Sequence, residues 1–168
     1  MEAIYHSEGR CTPNGTSFFY EYTLKDHLGN ARVNFRANGT TVTNVEDFHY
    51  YPFGMQMEGI GTTATTGSNK YRYNGKEMND DFGLNLLDYG ARWYDAPLGR
   101  WWSVDPMGEK GVNVSLYTYV LNNPMAFIDP TGMESEAYGG ELSGLASEER
   151  DQSRREQEEK YEKSKDKE

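Results

Sequence analysis

Apolar and polar positions alternate through TSFFYEYTL, break at KDHLGN and resume in ARVNFRANGTTVTNVEDFHYY. Alternation with a period of two predicts strands, and KDHLGN reads as the turn between the first two. Asn38-Gly39 marks a second hairpin, because both residue types accept the positive φ that a tight turn demands. Residues 52–70, PFGMQMEGIGTTATTGSNK, read as a long polar loop. KYRYNGKE and the strand-like GLNLLDYGARWYD follow, separated by MNDDFG, and the turn APLGR leads into WWSVD. Residues 1–15 are polar and turn-rich, and 1–17 are read as the remnant of a preceding repeat.

One theme recurs. An aromatic pair followed by a Pro, Gly or Asn turn begins at Tyr50, Tyr71, Tyr94 and Tyr117, at separations of 21, 23 and 23 residues. A period near 20 predicts one antiparallel hairpin per unit, each too small to be stable alone and stacked on its neighbours through aromatic faces. Composition agrees, with 14% aromatic residues, 13 tyrosines and 18 glycines favouring short strands joined by tight turns. The fold class expected is therefore mainly β.

Charge divides the chain. The net charge of −10 offers no basic stripe to a phosphate backbone, so nucleic acid is not an expected partner. Residues 134–168 carry 12 acids and 7 bases, as much net charge as the 133 residues before them, and almost no apolar residue after Ser147. They form a separate charged tail, readable either as a solvated helix with Glu156–Lys160 and Glu159–Lys163 pairs or as a disordered segment. The lone Cys11 forms no intramolecular disulfide, and the scattered His6, His27 and His49 suggest no metal site; no cofactor is implied. No run is long and apolar enough to span a membrane, and the residues after Met1 begin no signal peptide.

The candidate chemistry lies where the tail begins. Asp105-Pro106-Met107-Gly108 recurs as Asp129-Pro130-Thr131-Gly132, 24 positions later. Asp-Pro-x-Gly is a good turn sequence whose aspartate caps its own backbone, which explains both copies without any chemistry. Two carboxyls brought into one site would instead make an acid–base pair, one protonated and one ionised, able to hydrolyse a peptide. Arg100, five residues before Asp105, would orient one carboxylate or stack on Trp101 or Tyr94. Asp88 and Asp95 read as structural positions. Trp93, Trp101 and Trp102 read as packing aromatics, with a sugar-stacking platform as the other reading.

LKDHLGNARVNF, YYPFG, KYRYNGKE, LLDYGARWYDAPLGRWWSVDP and YTYVLNNPMAFIDPTGM together resemble the Rhs repeat-associated core domain, the C-terminal end of Rhs/YD-repeat proteins, in a form similar to that of Bacteroidota. The resemblance covers residues 18–133 and leaves 134–168 as a variable C-terminal segment. It implies a β-strip that, with enough upstream repeats, winds into a hollow shell around a C-terminal cargo, often a toxin. It also implies an aspartyl autoprotease, with Asp105 and Asp129 as the dyad, Arg100 assisting and the Met133–Glu134 bond cut. Upstream repeats and cargo are the implied partners, and secretion or the cell surface the implied location. The chain departs from the family at Tyr94-Asp95-Ala96-Pro97, where Tyr-Asp-Pro is usual. Two other readings stand beside this one: a carbohydrate-binding or cell-surface interaction module, and an orphan fragment of a larger gene.

Overall fold

The computed structural model describes residues 3–38, 40–61, 69–110 and 114–137; the expectations for 138–168 lie outside them. Among the described residues eleven short strands make three antiparallel sheets, and the helical turns are single 3-10 turns of three residues. The first sheet is a meander of β1 (Ile4–His6), β2 (Gly9–Asn14), β3 (Ser17–Lys25), β4 (Ala31–Asn38) and β5 (Thr41–Asp47). The second runs in order through β6 (Glu77–Asn79), β7 (Leu86–Asp88), β8 (Trp93–Asp95) and β9 (Arg100–Trp101). A last pair joins β10 (Phe127–Ile128) to β11 (Glu136–Ala137). The mainly β expectation holds.

Residues 4–14 carry the first two strands of the first sheet, and β2 pairs with β3 from Gly9↔Tyr22 to Asn14↔Ser17. Their polarity misled because this sheet is inverted. Its buried face carries the cross-strand rows Arg10–Glu21–Arg36 and Thr23–Asn34–Glu46, with Glu21 and Asn34 almost inaccessible. Glu21 accepts from Arg10 Nε at 2.5 Å, from Arg36 Nη2 at 2.6 Å and from Thr12 Oγ1 at 3.2 Å, so its buried charge is compensated. Tyr20, Tyr22 and Leu24 of the same strand alternate with these and lie exposed.

The apolar core sits under the second sheet. Tyr73, Leu87, Tyr89, Tyr94, Ala96, Trp101, Tyr119 and Val120 are buried together. Most of the rings meet edge-on or tilted, Tyr94 and Tyr119 at 4.1 Å between centroids and Tyr89 and Trp101 at 5.1 Å, while Tyr73 and Tyr94 stack at 6.3 Å. Buried phenols need partners. Tyr89 and Tyr119 both donate to Asn74 Oδ1, at 2.8 and 2.7 Å, while Tyr73 and Tyr94 donate to the carbonyls of Pro52 and Phe53. Burial pushes the titration of all four tyrosines upward, so they remain neutral donors.

The first part of the expected 52–70 loop is thereby an ordered turn clamped by two core hydroxyls. Gly54 sits in it at φ +90°, and a Cβ there would lie 2.6 Å from the Tyr73 ring. Gly54→Ala combines backbone strain with overpacking of the core, and should lower unfolding free energy by about 2–4 kcal/mol in a urea titration.

Candidate functional site

Both Asp-Pro-x-Gly copies fold as turns. Asp105 Oδ1 accepts the Met107 N–H at 2.8 Å. Asp129 Oδ1 accepts three successive N–H groups, those of Thr131, Gly132 and Met133, at 3.2, 2.7 and 3.1 Å. Gly132 makes the second turn possible: its φ is +73°, and a Cβ would lie 3.0 Å from the Arg92 backbone nitrogen and 3.1 Å from Tyr89 Cβ. Asp88 and Asp95 cap turns in the same way, through Gly90 and Leu98.

What separates Asp105 and Asp129 from those two is their second oxygen. Asp105 Oδ2 lies 3.0 Å from Arg92 Nη1 and Asp129 Oδ2 lies 3.3 Å from Arg92 Nη2. The two turns, 24 residues apart in sequence, thus meet at the two prongs of one guanidinium. The contact to Asp105 is an ion pair without an aligned hydrogen bond, since Nη1 has no hydrogen-bond partner among the described residues. Arg92 also donates from Nε to the Gly132 carbonyl at 2.6 Å, and its guanidinium lies 4.1 Å over the Trp101 ring. Arg92 is 3% exposed and Asp129 1%, whereas Asp105 is half-buried and reachable by water.

The arginine at this site is Arg92, not Arg100. Arg100 opens β9 with an exposed side chain and its backbone bridges to Thr118. The ion pairs of both aspartates go to Arg92, and it is Arg92 that stacks on Trp101. Nearness in sequence pointed to Arg100; the β7–β8 turn instead folds Arg92 back over the Asp129 loop. The signal for it was a charge set inside the aromatic run DYGARWYD.

Electrostatically the cluster holds two carboxylates and one guanidinium. Burial raises the Asp129 titration above the ordinary carboxylate range, opposed by the turn N–H groups and by Arg92. With Oδ1 occupied by three N–H donors and Oδ2 accepting from Arg92 Nη2 alone among the described residues, Oδ2 is the oxygen of Asp129 with capacity to carry a proton.

The loop following Asp129 is clamped along its length. The carbonyl of Pro130 accepts from Lys76 Nζ at 2.5 Å, that of Thr131 from the Ala91 N–H at 3.1 Å, and that of Gly132 from Arg92. The Met133 carbonyl is the next along the chain, and both Met133 and Glu134 are exposed. Two residues later the chain turns back, β11 pairs with β10, and Ala137 is buried. The 133–134 bond is therefore a solvent-facing link between two fixed points. Of the three tryptophans, Trp101 is buried in the core while Trp93 and Trp102 are exposed, so the three do not form one surface platform.

No family model matches the chain. It is 32% identical over 114 residues to toxin subunit YenC1 of Yersinia entomophaga, and 40% identical over 86 residues to YenC2 of the same organism. These alignments take in 67% and 50% of this chain but 11% and 8% of the subunits. Salivary gland surface protein 1 of Aedes aegypti is 32% identical over 113 residues, 67% of this chain and 3% of that protein. Among solved structures, TcdB2–TccC3 without its hypervariable C-terminal region superposes with a TM-score of 0.62 at 24% identity, over 78% of this chain and 6% of that one. The Photorhabdus luminescens Tc holotoxin pore gives 0.56 at 28% identity, over 67% of this chain and 5% of that one. The chain thus spans about a tenth or less of each relative, and over that stretch it is an Rhs/YD-shell-related β-module, akin to Tc toxin subunits in sequence and fold.

Proposed function

We propose that this chain is the self-cutting end of a toxin-type β-shell, and that it hydrolyses its own Met133–Glu134 bond with Asp105 and Asp129. The observation that carries this reading is the meeting of both aspartates on Arg92 beside the clamped loop that leads to an exposed peptide bond. A pair of capping turns has no need of a shared buried arginine.

Asp105, half-buried, acts as the base: its ionised carboxylate takes a proton from a water molecule whose oxygen adds to the Met133 carbonyl carbon. Asp129 holds the other proton on Oδ2. It polarises the carbonyl and then delivers that proton to the Glu134 nitrogen as the C–N bond breaks. The products are a Met133 carboxylic acid and a Glu134 amine. Arg92 compensates one of the two carboxylate charges, so a single proton suffices to neutralise the cluster. Domain boundaries follow the same reading, with the shell module ending at Met133 and 134–168 standing where cargo joins. Upstream repeats are the proposed partners of the module, and export from the cell its proposed destination. The carbohydrate reading drew on Trp101, which is buried in the core.

Intact mass spectrometry of the purified chain beside Asp105→Asn tests the proposal. The wild type should lose residues 134–168 and the variant should stay whole. A wild type that remains full length under the conditions in which it is folded would sink the reading.

A further inference from the structure

The KYRYNGKE segment takes no part in the chemistry above, yet it reaches the cleavage loop. Arg72 to Lys76 form a closed turn in which the Arg72 N–H donates to the Lys76 carbonyl and the Lys76 N–H to Tyr73. Its base is set against the first sheet. The Ala31 N–H donates to the Arg72 carbonyl at 3.0 Å, the Asn74 N–H to Asn30 Oδ1 at 2.7 Å, and Asn74 Nδ2 to the Leu28 carbonyl at 3.0 Å. Its other side holds the core phenols Tyr89 and Tyr119. From this base Lys76 extends over the Tyr89 ring, Nζ 4.9 Å from the centroid, and places its ammonium on the Pro130 carbonyl across 54 residues of sequence.

Resting on the self-cleavage reading, we propose that Lys76 is a positioning residue for that cut. It fixes the first carbonyl of the clamped loop, and it makes the placement of the Met133–Glu134 bond depend on the docking of the first sheet. The geometry is economical. Three consecutive carbonyls are held by three donors, and only the Lys76 donor belongs to the turn that the first sheet supports. A displacement of about 1 Å at a reacting bond is enough to slow a reaction on the order of 100-fold. Lys76 also adds positive charge beside Asp129. The groups facing that carboxylate are Arg92 and, through it, Asp105, together with Tyr119 and Lys76, which Asp88 also faces. Burial lowers the Lys76 titration while Asp129 and Asp88 raise it, so the ammonium and the Asp129 carboxylate favour each other's charged forms.

The test is the rate of self-cleavage against pH for the full chain, Lys76→Met and Lys76→Arg, with thermal melts alongside. Lys76→Met should cut roughly 10- to 100-fold more slowly. Its alkaline limb, set by deprotonation of the general acid Asp129, should also move to higher pH, because loss of the cation favours protonated Asp129. Lys76→Arg, which keeps charge and stem, should recover part of the rate with the limb at the wild-type position. A wild type that cuts while Lys76→Met matches it in rate and alkaline limb overturns the role of Lys76 and leaves the cleavage reading intact. Slowing at every pH with an unmoved limb, matched by Lys76→Arg, reduces Lys76 to packing and also overturns it. A folded wild type that never cuts overturns both.

Discussion

Replacing Arg92 with methionine should destabilise the fold by about 3–5 kcal/mol near neutral pH and stop self-cleavage, because it leaves Asp129 buried without its counter-ion. Methionine fills much of the volume over Trp101, so the loss is electrostatic more than a cavity effect. The variant also frees the Gly132 carbonyl that Nε holds at 2.6 Å. The pH dependence has a definite sign. Asp129 titrates above the ordinary carboxylate range even with Arg92 present. A carboxyl whose folded value exceeds its unfolded value contributes its stability in full below the unfolded value, and loses it as pH rises through the folded one. Removing Arg92 raises the folded value further. The deficit of Arg92→Met should therefore be smaller at about pH 4, where the lost Gly132 contact remains, and grow toward about pH 8. Urea titrations at both pH values measure it. Arg100→Met, at an exposed position of β9, serves as the control and should stay within about 0.5 kcal/mol of wild type. Equal stability of the two variants at neutral pH would contradict a buried charge triad.

The contrast between these arginines shows how far the sequence could be read. Strand positions and turns were legible where alternation and turn residues coincide: β3, β4 and β5 lie where TSFFYEYTL, ARVNFRAN and TTVTNVED place them. Strands β1 and β2 were not, since a strand is ordinarily recognised by an apolar buried face, and here the buried partners are Arg10, Thr12, Glu21 and Glu46. Polarity in SEGRCTPNG was a sign of cross-strand ion pairing, which no local window contains. In KYRYNGKE the aromatic pair and the turn after it were legible: Asn74 and Gly75, both at positive φ, bend the chain so that Tyr71 bridges Glu77.

At the site itself, the repeat of Asp-Pro-x-Gly brought out the two carboxyls, because each turn needs its own cap. Their convergence rests on Arg92, which stands 13 residues before one and 37 before the other. A buried arginine amid tyrosines requires buried carboxylates somewhere, but spacing does not say which. Lys76 was less visible still. Its partner is a backbone carbonyl, and backbone acceptors leave no trace in sequence.

Asp129 offers the sharpest separation of turn from chemistry, since its two oxygens do different things. Asp129→Asn keeps a carbonyl oxygen where Oδ1 accepts from Thr131, Gly132 and Met133, so the turn survives. It puts an amide N–H pair opposite Arg92 Nη2, and removes the group able to donate and recover a proton. The expected result is a folded protein, weakened by about 1.5–3 kcal/mol for the lost charged contact, whose cleavage falls by about 100- to 10,000-fold. Asp129→Ala removes both functions. Three N–H groups lose their common acceptor, each worth about 1–3 kcal/mol when buried and unsatisfied, so alanine should be the less stable variant by several kcal/mol. Denaturation midpoints rank the two variants, and intact mass over time reads cleavage in each. If the asparagine variant cuts at the wild-type rate while alanine unfolds, Asp129 is a cap alone and the proton must come from elsewhere. If the asparagine variant folds and stays whole, the turn and the chemistry are separable functions of one carboxylate. Asp105→Asn should then reproduce the cleavage defect with a smaller change in stability, because Asp105 is half-buried and caps a single N–H.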